Sequence, residues 1–198
     1  LIFGPTYSFT YTNTMQKRKR HTIYYKGSLD LAGNITGLIT GANAKQGDTI
    51  NVLGVAFSQF AKTEQDFRHY LRLGEGSQLA SRVVVGVGMP YGNSTSLPYI
   101  RQFFIGGTNS LRAFRARSIG PGSYNYRDQE GFDANSFLPD QSGDIKLELN
   151  TEYRAQLYSV IHGAVFVDAG NIWLWNKDPS RPGAQFTSKF MSEMAVGT

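Results

Sequence analysis

The sequence predicts an all-β protein, an antiparallel transmembrane β-barrel of which this chain holds an incomplete set of about six strands. Three observations lead there. Apolar and polar residues alternate with a period of two through much of the 198 residues. The connections between alternating segments are in turn short and long, the layout of an outer-membrane barrel with turns on one side and loops on the other. Aromatic residues reach 13%, with 11 Tyr and 13 Phe, while charged residues stay at 18%, which is low for a soluble chain of this size. No run approaches the roughly 18–20 apolar residues of a membrane-spanning helix, so a helical membrane protein is excluded. The aromatics and the 22 glycines exclude a disordered tail and a coiled coil. The lack of cysteine excludes disulfide scaffolds, zinc knuckles and thiol chemistry.

Taken in order, Tyr7, Phe9 and Tyr11 alternate with Ser8, Thr10 and Thr12 as a first strand. Ile23, Tyr25, Leu29 and Leu31 alternate with Thr22, Lys26, Ser28 and Asp30 as a second. From Phe60 to Arg72 the even positions are mostly polar, but their odd neighbours are mixed, with Phe67 and Leu71 the best apolar ones. Leu79, Val83, Val85 and Val87 form a fourth apolar row against Gln78, Arg82 and Gly86. The clearest segment is Asp144 to Arg154: Lys146, Glu148, Asn150 and Glu152 oppose Ile145, Leu147, Leu149 and Tyr153 over the length a tilted membrane strand needs. A sixth strand runs near Gly163 to Ala169. Short connections fall at Met15–Arg20, Gly74–Ser77 and Gln156–His162, and long ones at Gly33–Val55, Pro90–Gly143 and Asn171–Phe190. The chain opens without Met and closes on Met194–Thr198, which reads as the start of another strand, so both ends read as cut from something longer.

The segment Phe103 to Tyr124 is the most informative. Gly106 and Gly107 permit positive φ, and Gly120-Pro121-Gly122 fixes a second sharp turn. Between them lie Arg112, Arg115 and Arg117, with Leu111 and Phe114 as apolar anchors. Such a loop is built to fold back and dock. The other reading of these residues alone is a glycine-rich basic surface loop.

Gly106-Gly107, Leu111-Arg112-Ala113-Phe114 and Ile119-Gly120-Pro121 together resemble the signature loop of the outer-membrane barrel assembly and translocation superfamily, whose members include BamA and TamA. In that family the loop is the sixth extracellular one and lies inside a sixteen-stranded barrel. It carries a Val/Leu/Ile-Arg-Gly-Phe/Tyr tetrad, from which this chain departs by Ala113. Leu149 to Arg154 and Val165 to Gly170 are similar to the family's next two strands, whose lumen-facing carboxylates correspond to Glu152 and Asp168. The resemblance covers about Leu79 to Trp173. It implies that residues 1–198 are part of a single outer-membrane barrel domain, from about the eighth strand to the opening of the fourteenth. The loop would span about 90–143, and the periplasmic repeat domains and terminal strands would lie outside the chain. It further implies a non-enzymatic assembly factor, with no cofactor, that folds and inserts β-barrel proteins into the outer membrane of a Gram-negative cell. Its partners would be outer-membrane lipids, unfolded outer-membrane protein clients and accessory lipoproteins. Within the family the alternative is a TamA-like translocation role. Outside it, a passive porin would share the alternation but needs an open lumen.

The remaining candidates yield to plainer readings. The net charge of +5, spread over many strands, fits a solvated face, and no nucleic-acid partner is expected. Lys17-Arg18-Lys19-Arg20 sits on a hairpin turn and reads as charged gatekeepers beside aggregation-prone strands. His21, His69 and His162 are scattered, so no metal site is expected. Asp128, Glu130, Asp133 and Asn135 do not match a calcium loop. Glu148 and Glu152 read as carboxylates on a solvated lumen face rather than a glycosidase pair. Trp173 and Trp175 read as part of an aromatic belt.

Overall fold

Strict alternation makes one side of a strand apolar and the other polar, and neighbouring strands must share that parity to bury either side. The computed structural model, which describes residues 1–15, 19–44, 49–128 and 139–198, has that arrangement. Seven strands form one antiparallel sheet in the order β1 (Thr6–Thr12), β2 (His21–Ala32), β5 (Phe60–Gly74), β6 (Ser77–Pro90), β7 (Ile145–Tyr158), β8 (Ile161–Trp173) and β9 (Ala195–Gly197). The long connection after β2 holds helix α1 (Asn34–Thr40) and the two-stranded sheet of β3 (Asn51–Val52) and β4 (Val55–Ala56). The sequence reading left that connection without structure, because its pieces are too short to show a period.

From β1 to β8 the pairings set even residues opposite even ones, as in Tyr24, Arg68, Arg82, Asn150 and Asp168 along one row, except at the two short turns, where the register shifts and Gly74 meets Ser77 and Tyr158 meets Ile161. The even face is therefore polar across the sheet, and the odd face carries exposed Phe9, Tyr11, Phe67, Val83, Tyr153 and Val165. The three-residue β9 continues it in opposite parity, with Gly197 opposite Asp168. Both edge strands lack a second partner, so the sheet is an incomplete barrel, and all seven residues of β1 are exposed. Such open edges need further chain to pair with them.

The mixed odd positions of β5 have a physical answer. In hydrocarbon a polar group must find its partner within the protein. Tyr25 donates to Gln65, Gln65 Nε2 donates to Thr63 Oγ1 at 2.7 Å, and Thr63 Oγ1 donates to the Ser28 carbonyl at 3.0 Å. Near the short-turn end, His21 Nδ1 and His69 Nε2 meet at 3.1 Å. Those two histidines are 48 residues apart, and only strand register brings them together. Among the described residues there is no cluster of three or more groups that could hold a metal.

The Trp173 side chain departs from the belt expected of it. It is fully buried, donates to Glu193 Oε2 at 2.6 Å and packs edge-on against Phe186 and Phe190. The strand end is covered by the following connection, which no local pattern announces. Trp175 keeps a surface position at 38% exposure. Lys17, Arg18, Glu130, Asp133 and Asn135 lie outside the described residues.

Face assignment has a direct check, because the chain has no native cysteine. In the full-length protein in lipid vesicles, a spin label on Val85→Cys, Tyr153→Cys or Val165→Cys should be reached by a lipid-soluble relaxant. A label on Ala80→Cys or Ala164→Cys should be reached by a water-soluble one. The reverse pattern would contradict the sheet's orientation.

A candidate functional site where a docked loop meets the sheet

The long connection between β6 and β7 folds back onto the even face. Its local shape comes from glycine. Gly106 and Gly107 adopt φ of +98° and +91°, which a side chain would strain. The bend closes with Gly107 N donating to the Phe114 carbonyl at 2.8 Å and Arg117 N to the Ile105 carbonyl at 2.9 Å. A second turn, Gly120-Pro121-Gly122, is tied to β8 by Gly122 N donating to the Ile172 carbonyl at 2.7 Å. Asn171 Nδ2 donates to the Gly122 carbonyl at 2.9 Å.

Leu111 and Ile105 are fully buried with Phe103, Ile119 and Ile172, and Phe114 packs against that cluster. The wall makes room for it with glycine. A Cβ on Gly86 would lie 2.6 Å from the Phe103 ring, and one on Gly170 would lie 2.6 Å from Ile105. The sequence placed Gly86 and Gly170 on the polar face of their strands, but only the register shows what fills the space they leave.

At the tip of the bend, Arg112 spans β7 and β8. Its Nε and Nη2 donate to the two oxygens of Asp168 at 2.8 Å each, and its Nη1 donates to Glu152. The Arg112 backbone N–H also reaches Asp168, at 3.1 Å, and the guanidinium lies 3.8 Å above the centre of the Phe166 ring. The hydrogen bonds to Asp168 come first among the causes that hold the guanidinium protonated well beyond its ordinary range. Asp168 is completely buried, whereas Arg112 keeps 26% of its side-chain surface. A planar fork matched to two carboxylates fixes orientation as well as charge. Ala113, where the tetrad departs from glycine, sits against Gly197, whose Cβ would come within 2.5 Å of its methyl.

A second clamp lies one strand pair away. Arg82 on β6 binds Asp66 at 2.9 Å and Glu148 at 3.1 Å, and donates to the carbonyl of Asn109 in the bend at 2.8 Å. Lys146 pairs with Glu148 at 3.0 Å, and Ser110 Oγ donates to the same carboxylate at 2.8 Å. Asn150 Nδ2 reaches the Ser110 carbonyl at 2.8 Å. Glu148 is thus buried beneath the loop, not solvated as its alternation alone suggested. Neither Arg82 nor Asp66 was marked as a site residue. Their polar parity was visible, but their convergence depends on pairing across three strands.

The loop's outer end is held as well. Asp144 is 3% exposed and accepts from Trp175 N at 3.1 Å, and burial pushes its carboxyl above the ordinary range. Arg117 leans over Phe104 at 4.5 Å and pairs with Asp140 at 3.2 Å, while Arg115 stays exposed.

The loop that carries Gly106, Gly107, Leu111, Arg112, Ala113, Phe114, Ile119, Gly120 and Pro121 thus lies on the even face, where Arg112 alone of them bridges Glu152 and Asp168, and Arg82, Asp66 and Glu148 add a second clamp. Its chemistry is that of a latch, with paired charges and a small apolar core fastening a loop to a wall. A family model described as the Omp85 superfamily domain matches residues 7–198.

Proposed function

The chain belongs to the Omp85 superfamily, and from that membership and the docked loop we propose that it is the wall and internal loop of a BamA-like assembly factor. Proteins of this superfamily assemble or translocate other proteins at the outer membrane. The even face is then the lumen and the odd face the lipid side. The observation that supports an assembly or translocation barrel over a passive porin is the Arg112 fork on Asp168 and Glu152, which fastens the loop to the even face. A passive porin needs its lumen open to solutes. The work is non-enzymatic. An incoming strand lacks backbone partners in hydrocarbon, and pairing with an exposed sheet edge supplies them. The stretch in hand contributes the stable wall and the latch, with outer-membrane lipids, unfolded clients and accessory lipoproteins as its partners.

The test is reconstitution of the full-length protein in vesicles with an unfolded eight-stranded client, read as protease-resistant, heat-modifiable barrel. Faster client insertion than in empty vesicles supports the reading. Solute flux without insertion favours a porin, and export of a soluble passenger with no gain in insertion favours the TamA-like role.

A further inference from the structure

At the long-loop end the odd row runs one pair past the strands. Tyr91 N donates to the Gln59 carbonyl at 3.2 Å, so Gln59 and Tyr91 follow Phe60 and Pro90 in the ladder of β5 and β6. Helix α1 rests on that pair. Gln59 is buried, and a Cβ on Gly37 of the helix would lie 2.2 Å from its side-chain amide. Tyr91 donates to the Asn34 side chain, and Ala44 N donates to the Gly92 carbonyl at 2.8 Å. The helix is therefore seated on the parity that carries the exposed Leu29, Val85 and Met89. Ile35, Leu38 and Ile39, spaced i, i+3 and i+4, share one side of α1, turned away from Gly37. None of the three is less than 72% exposed. α1 holds no charged residue, nor does any other described residue of the 33–59 connection. The Thr40 hydroxyl donates to the Thr36 carbonyl at 2.8 Å and so needs no water. The β8–β9 connection is different, with Lys177, Asp178, Arg181 and Lys189 along it.

We propose that α1 lies in the outer leaflet of the membrane, with Ile35, Leu38 and Ile39 among the upper acyl chains beside the barrel wall. The occupant follows from continuity, because the helix extends the lipid-facing odd row rather than the polar lumen row. The inference rests on that orientation of the barrel, not on the assembly reading. A helix of seven residues is too short to hold in water by itself, and its packed side buries only Gly37. Acyl chains give the other side the apolar cover that water denies three large aliphatic side chains. Tyr91 marks the height, since tyrosine gathers where a barrel wall passes from hydrocarbon to headgroups. An uncharged helix with its aliphatic stripe turned outward fits that boundary.

The experiment places a bimane label on Leu38→Cys in the full-length protein in phosphatidylcholine vesicles, with Val85→Cys and Lys177→Cys as references. Two quenchers are compared, iodide on both sides of the membrane and lipid carrying a doxyl group near the top or at the end of its acyl chain. Iodide should quench the label at position 38 several-fold less than the one at 177. Doxyl lipid should quench it, more strongly from the top of the chain than from the end, and should leave position 177 unchanged. Heat-modifiability checks that the barrel forms; where Leu38→Cys prevents it, Ile35→Cys or Ile39→Cys on the same stripe decides. Iodide quenching at 38 equal to that at 177 puts the helix in water and overturns the proposal. Protection from both quenchers means that protein covers the stripe and also overturns it, and a disulfide-linked dimer of Leu38→Cys would then assign the cover to a second copy. Doxyl quenching at 85 without quenching at 38 overturns the proposal alone, whereas its absence at 85 overturns the barrel's orientation and the proposal with it. Client insertion is not read, so the assembly function stands or falls separately.

Discussion

Arg112→Ala in the full-length protein should release the 103–124 loop and remove most of its assembly activity. The reason lies in what the substitution leaves behind. Asp168 is completely buried and would lose both guanidinium bonds, keeping the backbone N–H of residue 112 and the Asn150 side chain but no opposite charge from residue 112, whereas Glu152 would still have Arg154 at 2.5 Å. Removing one partner of a buried pair strands the other charge, at a cost on the order of 3–5 kcal/mol. Arg112 retains 26% side-chain exposure, which places the effect toward the lower end of that range. Arg112→Lys should recover part of the loss at most, because one ammonium cannot repeat a fork that reaches two carboxylates on different strands. Trypsin should then cut at Arg115 and Arg117 in the alanine variant faster than in the wild type. An alanine variant with wild-type cleavage and activity would show that Arg112 does not latch the loop.

Gly170→Val should be as damaging, by a steric route. A Cβ there would lie 2.6 Å from the Leu147 carbonyl oxygen of the paired strand, 2.6 Å from Ile105 and 3.1 Å from Leu111. The carbonyl belongs to the sheet and cannot yield without breaking the ladder, so the loop's apolar core has to lift. Overpacking of this kind costs about 1–3 kcal/mol or more. Gly163→Ala on the same strand is the control. Its Cβ would approach only the flexible tip of Leu157, at 2.9 Å, on the outward face. Thermal unfolding of the two variants in detergent, followed by band shift, should separate them by several degrees. Equal midpoints would mean that Gly170 does not set the loop's seat.

Much of this was legible in the sequence. A strand between two solvents must alternate, so β1, β2, β6, β7 and β8 announce themselves, and β5 does so once Tyr25, Gln65 and Thr63 are seen to satisfy one another. Arg112, Glu152 and Asp168 were legible through family resemblance together with parity, since both carboxylates fall on the polar side. The Arg82 clamp was not, because Asp66, Arg82 and Glu148 lie on three strands and Asn109 on the loop. The burial of Glu148 and Trp173 was hidden for a related reason: alternation assigns a face, but a loop can cover that face at one height and leave it open at another. The pairing of His21 with His69 needs the register between β2 and β5.

A charge-swap cycle tests the pairing of Arg112 with Asp168 most directly. Asp168→Lys, Arg112→Glu and the double variant are built in the full-length protein and compared with the wild type for client insertion into vesicles. Each single reversal should abolish most insertion by placing like charges together, and the double reversal should restore a measurable part by exchanging the partners. A double variant no better than the worse single one, with all barrels folded, would contradict the latch.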